Sequence, residues 1–245
     1  MSASDYGTIH GVGLGPGDPE LMSVKAHRLV TQGARIAYFR KKGRPGQARS
    51  IVEGLLRADV RELPMEYPVT TEIALSDPAY AQTLSAFYAE CVAMLLREAE
   101  GGRDIVVLCE GDPFFYGSFM HLHARLTGLA PVQVVPGITG MSGCWTATGT
   151  PVTYGDDVLC VLMGTLDEET LAAKMAHADA LVVMKLGRNF PKVRRALQAA
   201  GLIERAFYVE RGTMPGQAVV PLVDKTDDSA PYFSMIVVHG RGRRP

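Results

Sequence analysis

At 245 residues, with 47% hydrophobic and 21% charged residues, the chain is long enough to bury one large or two modest α/β cores and too apolar for a disordered protein. A formal net charge of −1 supplies no global attraction to nucleic acid, and no apolar run approaches the roughly 20 residues of a membrane helix. Four widely spaced cysteines, Cys91, Cys109, Cys144 and Cys160, form no C-x-x-C pair and read as buried thiols, and six scattered histidines lack metal-site spacing, so no metal is expected.

The start "MSASDYGTIHGVG" has neither the basic residues nor the apolar stretch of a secretory signal, which points to a cytoplasmic protein. "TIHGVG" (8–13) predicts a strand ending in glycines, and the segment from Pro19 to Gly33 a helix, with Leu21, Val24, Lys25, Arg28 and Leu29 at helical spacing. "ARIAYF" (34–39) predicts a second strand, "QARSIVEGLL" (47–56) a helix, "DVREL" (59–63) a short strand and "PMEYPVTTEIALS" (64–76) a proline-containing loop. Asp77 and Pro78 form an N-cap and first-turn pair for a long helix whose apolar face is marked by Tyr80, Leu84, Phe87, Tyr88, Cys91 and Leu95. "DIVVL" (104–108) reads as a buried strand, followed by the corner "CEGDPFFYGS" (109–118), a helix over 118–127, the strand "PVQVV" (131–135) and a Gly-rich helix start, "PGITGMSGCW" (136–145). His121 and His123 point to different faces of their helix. Then come the strand "VLCVLMG" (158–164), a helix over 167–176, the strand "ALVVMKL" (180–186), a helix over 190–199 and the strand "RAFYVE" (205–210). "GQAVVPL" (216–222) and "PYFSMIVVHG" (231–240) add two strands with little helix between them, hence a mixed or antiparallel sheet, and "GRGRRP" (240–245) reads as a frayed, solvated tail. Alternating β and α units throughout predict α/β layers.

The loop "GVGLGPGDP" (11–19) has the strand-to-helix position of a dinucleotide turn, but Pro16 removes an N–H from the place where pyrophosphate would be cradled. The second strand ends in Arg40, Lys41 and Lys42 instead of an acidic residue for a ribose hydroxyl; these cations keep open an NADP-dependent reductase that binds a 2′-phosphate. No P-loop occurs, and "GMSGC" (140–144) departs from the serine-hydrolase elbow at Cys144, so Ser142 reads as a packing residue. Four glycine corners follow predicted strands: "GPGD" (15–18), "EGDP" (110–113), "PGITG" (136–140) and "MGT" (163–165). At strand ends they build a backbone-lined pocket with few charges, suited to a neutral or cationic nucleoside.

Together, "VGLGPGDPELMSVKA", "EGDPFFYGS", "VVPGITGMSG" and "GTPVTYGDD", in this order and spacing, resemble the tetrapyrrole methylase family over nearly the whole chain. The resemblance implies two α/β domains, 1–120 and 121–245, the second with a mixed sheet, with S-adenosylmethionine in the cleft between them and usually a homodimer. It implies methyl transfer to a reduced tetrapyrrole in cobalamin (vitamin B12) biosynthesis, with S-adenosylhomocysteine as the second product. "LCEGDPFFYGSFMHL", "RKKGRPGQARSIVEGLL" and "PYFSMIVV" point within the family to precorrin-2 as substrate and C-20 as the carbon methylated, giving precorrin-3A; another corrinoid intermediate or cobalt-factor II is the alternative. Carried over by position, the cofactor contacts are Pro16, Glu110, Gly111, Asp112, Phe115, Thr139, Gly140, Leu186 and Gly212. Glu110 and Gly140 depart from the commoner "G-G-D-P" and "P-G-I-T-[SA]", which leaves backbone contacts there.

Methyl transfer from a sulfonium to an electron-rich carbon is an in-line displacement that rests on positioning, so no covalent nucleophile or triad is expected. Loss of a proton from the methylated carbon needs only a carboxylate or water. Asp18 is a candidate for it, with capping of the helix from Pro19 as its competing role, and Tyr116 is a candidate contact for cofactor or ring. The substrate's acetate and propionate groups call for cations, and Arg40, Lys41, Lys42, Arg44 and Arg49 of the Gly/Pro-rich "RKKGRPGQAR" (40–49) are the expected substrate-binding set.

Overall fold

The structure, a computed structural model, describes residues 5–68 and 77–242. The second half of the proline-containing loop, 69–76, and the last three residues of the tail lie outside the described residues. The chain divides into two compact units between Thr139 and Gly140.

The first unit holds a five-stranded, all-parallel sheet built from β1 (Ile9–Gly13), β2 (Arg35–Lys41), β3 (Arg61–Tyr67), β4 (Ile105–Cys109) and β5 (Val132–Val135), in the order β3-β2-β4-β1-β5. The interior strands β1 and β4 are buried at every position, as their near-continuous apolar runs require of a sheet covered on both faces. One face is covered by α3 (Pro78–Ala99) and α4 (Phe119–Leu126), which bury Phe87, Tyr88, Leu95, Phe119 and Leu122 with Ile9 and Val107. The other is covered by α1 (Val24–Gln32) and the five-residue α2 (Gln47–Ile51), packed with Val12, Ile36 and Val106. Asp77 accepts from Ala79 N and Pro78 occupies the first turn, so α3 starts where the cap pair predicts; of the expected stripe it buries Phe87, Tyr88, Cys91 and Leu95, with Tyr80 and Leu84 half-buried.

The second unit carries α5 (Gly140–Ala147), β6 (Leu159–Met163), α6 (Glu168–Met175), β7 (Ala180–Met184), α7 (Phe190–Ala199), β8 (Ala206–Glu210), β9 (Ala218–Pro221) and β10 (Ser234–Val238). Its sheet runs β6-β7-β10-β8-β9: β6 and β7 are parallel, and β10 is antiparallel to both β7 and β8, the mixed sheet expected from the helix-poor end of the chain. α7 buries Phe190, Val193, Ala196 and Leu197, one helical face, against Leu181, Val183, Tyr208 and Ile236.

Four expectations need correction. The unit boundary falls after Thr139, not near 120, because β5 pairs in parallel with β1 and therefore keeps 121–139 in the first unit. The first helix starts at Val24, not Pro19: Asp18 caps a separate 3₁₀ turn, Pro19–Leu21, and Ser23 then caps α1 by accepting from Ala26 N (3.1 Å). β3 continues through Pro64 to Tyr67, which its edge position allows because a missing N–H there breaks no inner ladder. The start of the tail is anchored: Gly240 N donates to Val152 O (2.9 Å) and Gly242 N to Asp157 Oδ2 (3.2 Å).

Candidate cofactor and substrate site

The order β4-β1-β5 sets the C-terminal ends of three parallel strands side by side, and each runs into one of the glycine corners. Leu14 N donates to Cys109 O (2.9 Å), Gly111 N to Gly15 O (2.8 Å) and Gly15 N back to Gly111 O (3.3 Å). The loops after two parallel strands thus turn and close on each other as a single antiparallel bridge. A Cβ on Gly137 would stand 2.1 Å from Gly111 O and 2.9 Å from Gly13 Cα, so only glycine lets these main chains touch. Buried Pro16 lies between Gly15 and Gly17, both at positive φ (81° and 136°).

The two acids of the corner hold backbone. Asp112 Oδ1 accepts from Phe114 N and its Oδ2 from Gly137 N, both at 2.9 Å, which locks the loop after β4 to the loop after β5. Glu110 Oε1 accepts from Ala48 N at 3.0 Å, in the first turn of α2. The carboxylate of Glu110 is therefore turned to α2. Phe115 is half-buried and meets Tyr116 edge-on at 4.9 Å, while Phe114 and Tyr116 are 49% and 45% exposed. Tyr116 also holds a φ of 54°, a conformation that costs a non-glycine residue energy and concentrates at functional sites. Asp18 Oδ1 accepts from Glu20 N (2.9 Å), the capping role. His121 packs on Tyr88 and His123 on Phe114, two different neighbours, as their spacing predicts. Burial pushes the Cys144 thiol up to about 11 and the Cys91 thiol up to about 12, so both stay protonated and poorly nucleophilic. Among the described residues no group of three metal-ligating side chains occurs, and no helix is long and apolar enough to cross a membrane.

The basic segment is only partly as expected. Arg40 lies on β2 and donates through Nε (2.9 Å) and Nη2 (2.6 Å) to Glu66, its register partner on β3. Arg49 forks onto both oxygens of Glu62 (2.9 and 3.0 Å), and this pairing holds the Glu62 carboxyl below its ordinary range. Two of the five expected substrate cations are thus already paired, and Arg40, one of the three cations offered for a 2′-phosphate, is engaged by Glu66. Lys41 closes β2, and Lys42 and Arg44 stand exposed, without an ion-pair partner among the described residues.

In the second unit β6, β7 and β8 run in the same sense, so their C-terminal ends share one edge of the sheet. The fourth glycine corner is here, apart from the other three: Gly164 N donates to Met184 O (2.7 Å), and a Cβ would stand 2.9 Å from Lys185 O. The side chain of Leu186 is fully buried in the unit's core, which restricts any ligand contact to main chain; Lys185 and Gly187 on either side have φ of 56° and 41°. Gly212 lies against α5, where a Cβ would stand 2.9 Å from Cys144 Cα, between Arg211 (φ 50°) and Thr213 (φ 69°). Thr139 and Gly140 mark the passage from the loop after β5 into α5, and Ser142 lies within that helix. Thr213, which the sequence reading did not single out, has a buried Oγ1 without a hydrogen-bond partner among the described residues, beside Gly212. The only signal for it was its place in "ERGT". Within the first unit, main-chain corners whose acids are already bonded fit a nucleoside that carries no excess negative charge.

Residues 8–225 match the family of tetrapyrrole (corrin/porphyrin) methylases. The chain is 52% identical over 245 residues to the precorrin-2 C(20)-methyltransferase of Sinorhizobium sp, covering all of both chains. It is 26% identical to the cobalt-precorrin-2 C(20)-methyltransferase of Salmonella typhimurium, covering 95% of this chain and 96% of that one. The crystal structure of uroporphyrin-III C-methyl transferase from Thermus thermophilus complexed with S-adenyl homocysteine shares the fold, with a TM-score of 0.68 at 23% identity over 95% of this chain and 92% of that one. Matched over most of its length and built on the same fold, the chain belongs to the tetrapyrrole methylase family.

Proposed function

We propose that the chain catalyses C-methylation of a reduced tetrapyrrole from S-adenosylmethionine, with precorrin-2 methylated at C-20 to precorrin-3A in cobalamin biosynthesis. The observation that carries this reading is the 52% identity to the Sinorhizobium enzyme across the whole of both chains. The lower identity, 26%, to the cobalt-precorrin enzyme favours the metal-free ring as substrate.

When bound, S-adenosylmethionine supplies a methyl group on a positively charged sulfur, open to in-line displacement. Pro16, Gly111 and Phe115, with the main chain at Glu110 and Asp112, form the proposed cofactor corner of the first unit. Thr139, Gly140, Leu186 and Gly212 are the further proposed contacts, joined by Thr213 Oγ1. Lys42 and Arg44, with Lys41, take the carboxylates of the macrocycle, and Arg40 and Arg49 brace the loop through Glu66 and Glu62. The bridging carbon of a reduced tetrapyrrole is enamine-like, so the chain's task is to align it. Tyr116, exposed at the corner, is the proposed contact for the ring, which its exposure supports. Asp18 caps the turn from Pro19, and water takes the departing proton in this reading. The enzyme works in the cytoplasm as a homodimer, which light scattering on the purified protein tests.

Calorimetry with S-adenosylmethionine, S-adenosylhomocysteine and NADPH, followed by mass spectrometry of precorrin-2 incubated with enzyme and S-adenosylmethionine, tests the function. A product one methyl group heavier is expected; binding of NADPH without either adenosyl ligand would overturn the reading.

A further inference from the structure

We propose that Glu110 is a positioning residue for the tetrapyrrole, fastening the basic loop to the cofactor corner so that Lys42 and Arg44 are set by the same peptide that lines the cofactor. This rests on the function proposed above. Glu110 immediately precedes Gly111, whose N–H and C=O are both bonded to Gly15 (2.8 and 3.3 Å), so its backbone is fixed in the corner. Its Oε1 reaches Ala48 N at 3.0 Å. Ala48 is the second residue of α2, a helix of five residues whose N-cap, Gly46, offers no side-chain acceptor. So short a helix does not hold itself, and the acceptor it lacks locally is supplied by Glu110.

The neighbouring contacts define a clamped loop. At its far foot Gly46 packs so closely that a Cβ would stand 2.7 Å from Phe39 O and 2.8 Å from the Tyr38 ring. At its near foot Arg40 is held by Glu66. Between them, Gly43 (φ 72°) and the bond from Arg44 N to Lys41 O (3.0 Å) make a tight turn that presents Lys42 and Arg44 outward. Freeing the Ala48 end leaves the two cations attached but unplaced. The role needs an acceptor oxygen at this point and no negative charge, so an amide can perform it.

The experiment compares Glu110→Ala and Glu110→Gln in the full chain. Steady-state methyl transfer should show the tetrapyrrole KM of E110A raised about tenfold, a larger factor than any change in kcat or in S-adenosylhomocysteine affinity, and E110Q restored. Amide hydrogen exchange over residues 46–51, measured without ligand, should be faster in E110A and normal in E110Q. Unchanged exchange in E110A, parallel loss of tetrapyrrole and S-adenosylhomocysteine affinity, or an E110Q as impaired as E110A would each overturn the proposal. Absence of methyl transfer by the parent enzyme would sink the functional reading instead, and the exchange comparison would still decide whether Glu110 holds the loop.

Discussion

Asp112 serves two amides on two different loops, and removing it leaves both unbonded at a packed corner. D112A should lower unfolding free energy by about 2–4 kcal/mol, and D112N, which keeps one acceptor, by about half, as read by urea denaturation. Gly137→Ala should be more severe in its effect on ligand binding, because its methyl would sit 2.1 Å from Gly111 O and must push the loop after β4 away from the loop after β1. Calorimetric titration of S-adenosylhomocysteine checks this, and affinity equal to that of the parent would remove the corner from the site. The corner that carries Glu110 and Asp112 was legible as a glycine- and proline-containing turn at a strand end. Which amides they hold was not, because Gly137 lies 25 residues and Ala48 62 residues away, and local pattern carries no information over such distances.

Elements with strong local signals were read nearly to the residue: Asp77-Pro78 begins α3, and Asp167 caps α6 by accepting from Thr170 N. The first helix was misread because two start signals compete within six residues. Asp18-Pro19 looks like a helix start but closes only a turn, and Ser23 opens the helix, so the stripe turns inward at Ala26 and Val30 while Val24 is 89% exposed. Ser23→Ala should cost about 1 kcal/mol in thermal or urea unfolding, whereas Asp18→Ala should affect only the short turn. The basic segment was read by charge alone, and charge does not reveal which cations the neighbouring strand has already paired. Hence K42A with R44A should raise the tetrapyrrole KM with the melting temperature unchanged. R40A, whose pair with Glu66 is about one-third exposed, should shift stability by less than about 1 kcal/mol.

At the scale of the whole molecule, the α/β class and the mixed second sheet were legible from alternating patterns, but the boundary was not. No composition shift marks 139/140; it is set by a pairing between Ile9 and Val132 at opposite ends of the first unit. The two units share one electrostatic liability, a buried neutral histidine in each. Burial lowers the pKa of His10 in the first and of His239 in the second, where Arg205 adds to the effect. The unfolded chain takes up protons near the ordinary value of 6.5 while the folded chain does not, so stability is full above that value and falls as pH drops through the folded one. The melting temperature should therefore decline on acidification below about pH 6.5, and His239→Gln should flatten part of the decline, the remainder belonging to His10. The bridge between Gly15 and Gly111 bears on how the protein can be altered. A nucleoside held by peptide groups, as proposed for this corner, is recognised through atoms that every residue type shares, so exchanging side chains leaves that alphabet unchanged. Libraries of point variants should retune which macrocycle is accepted long before they change the methyl donor, which demands a loop laid along a different path.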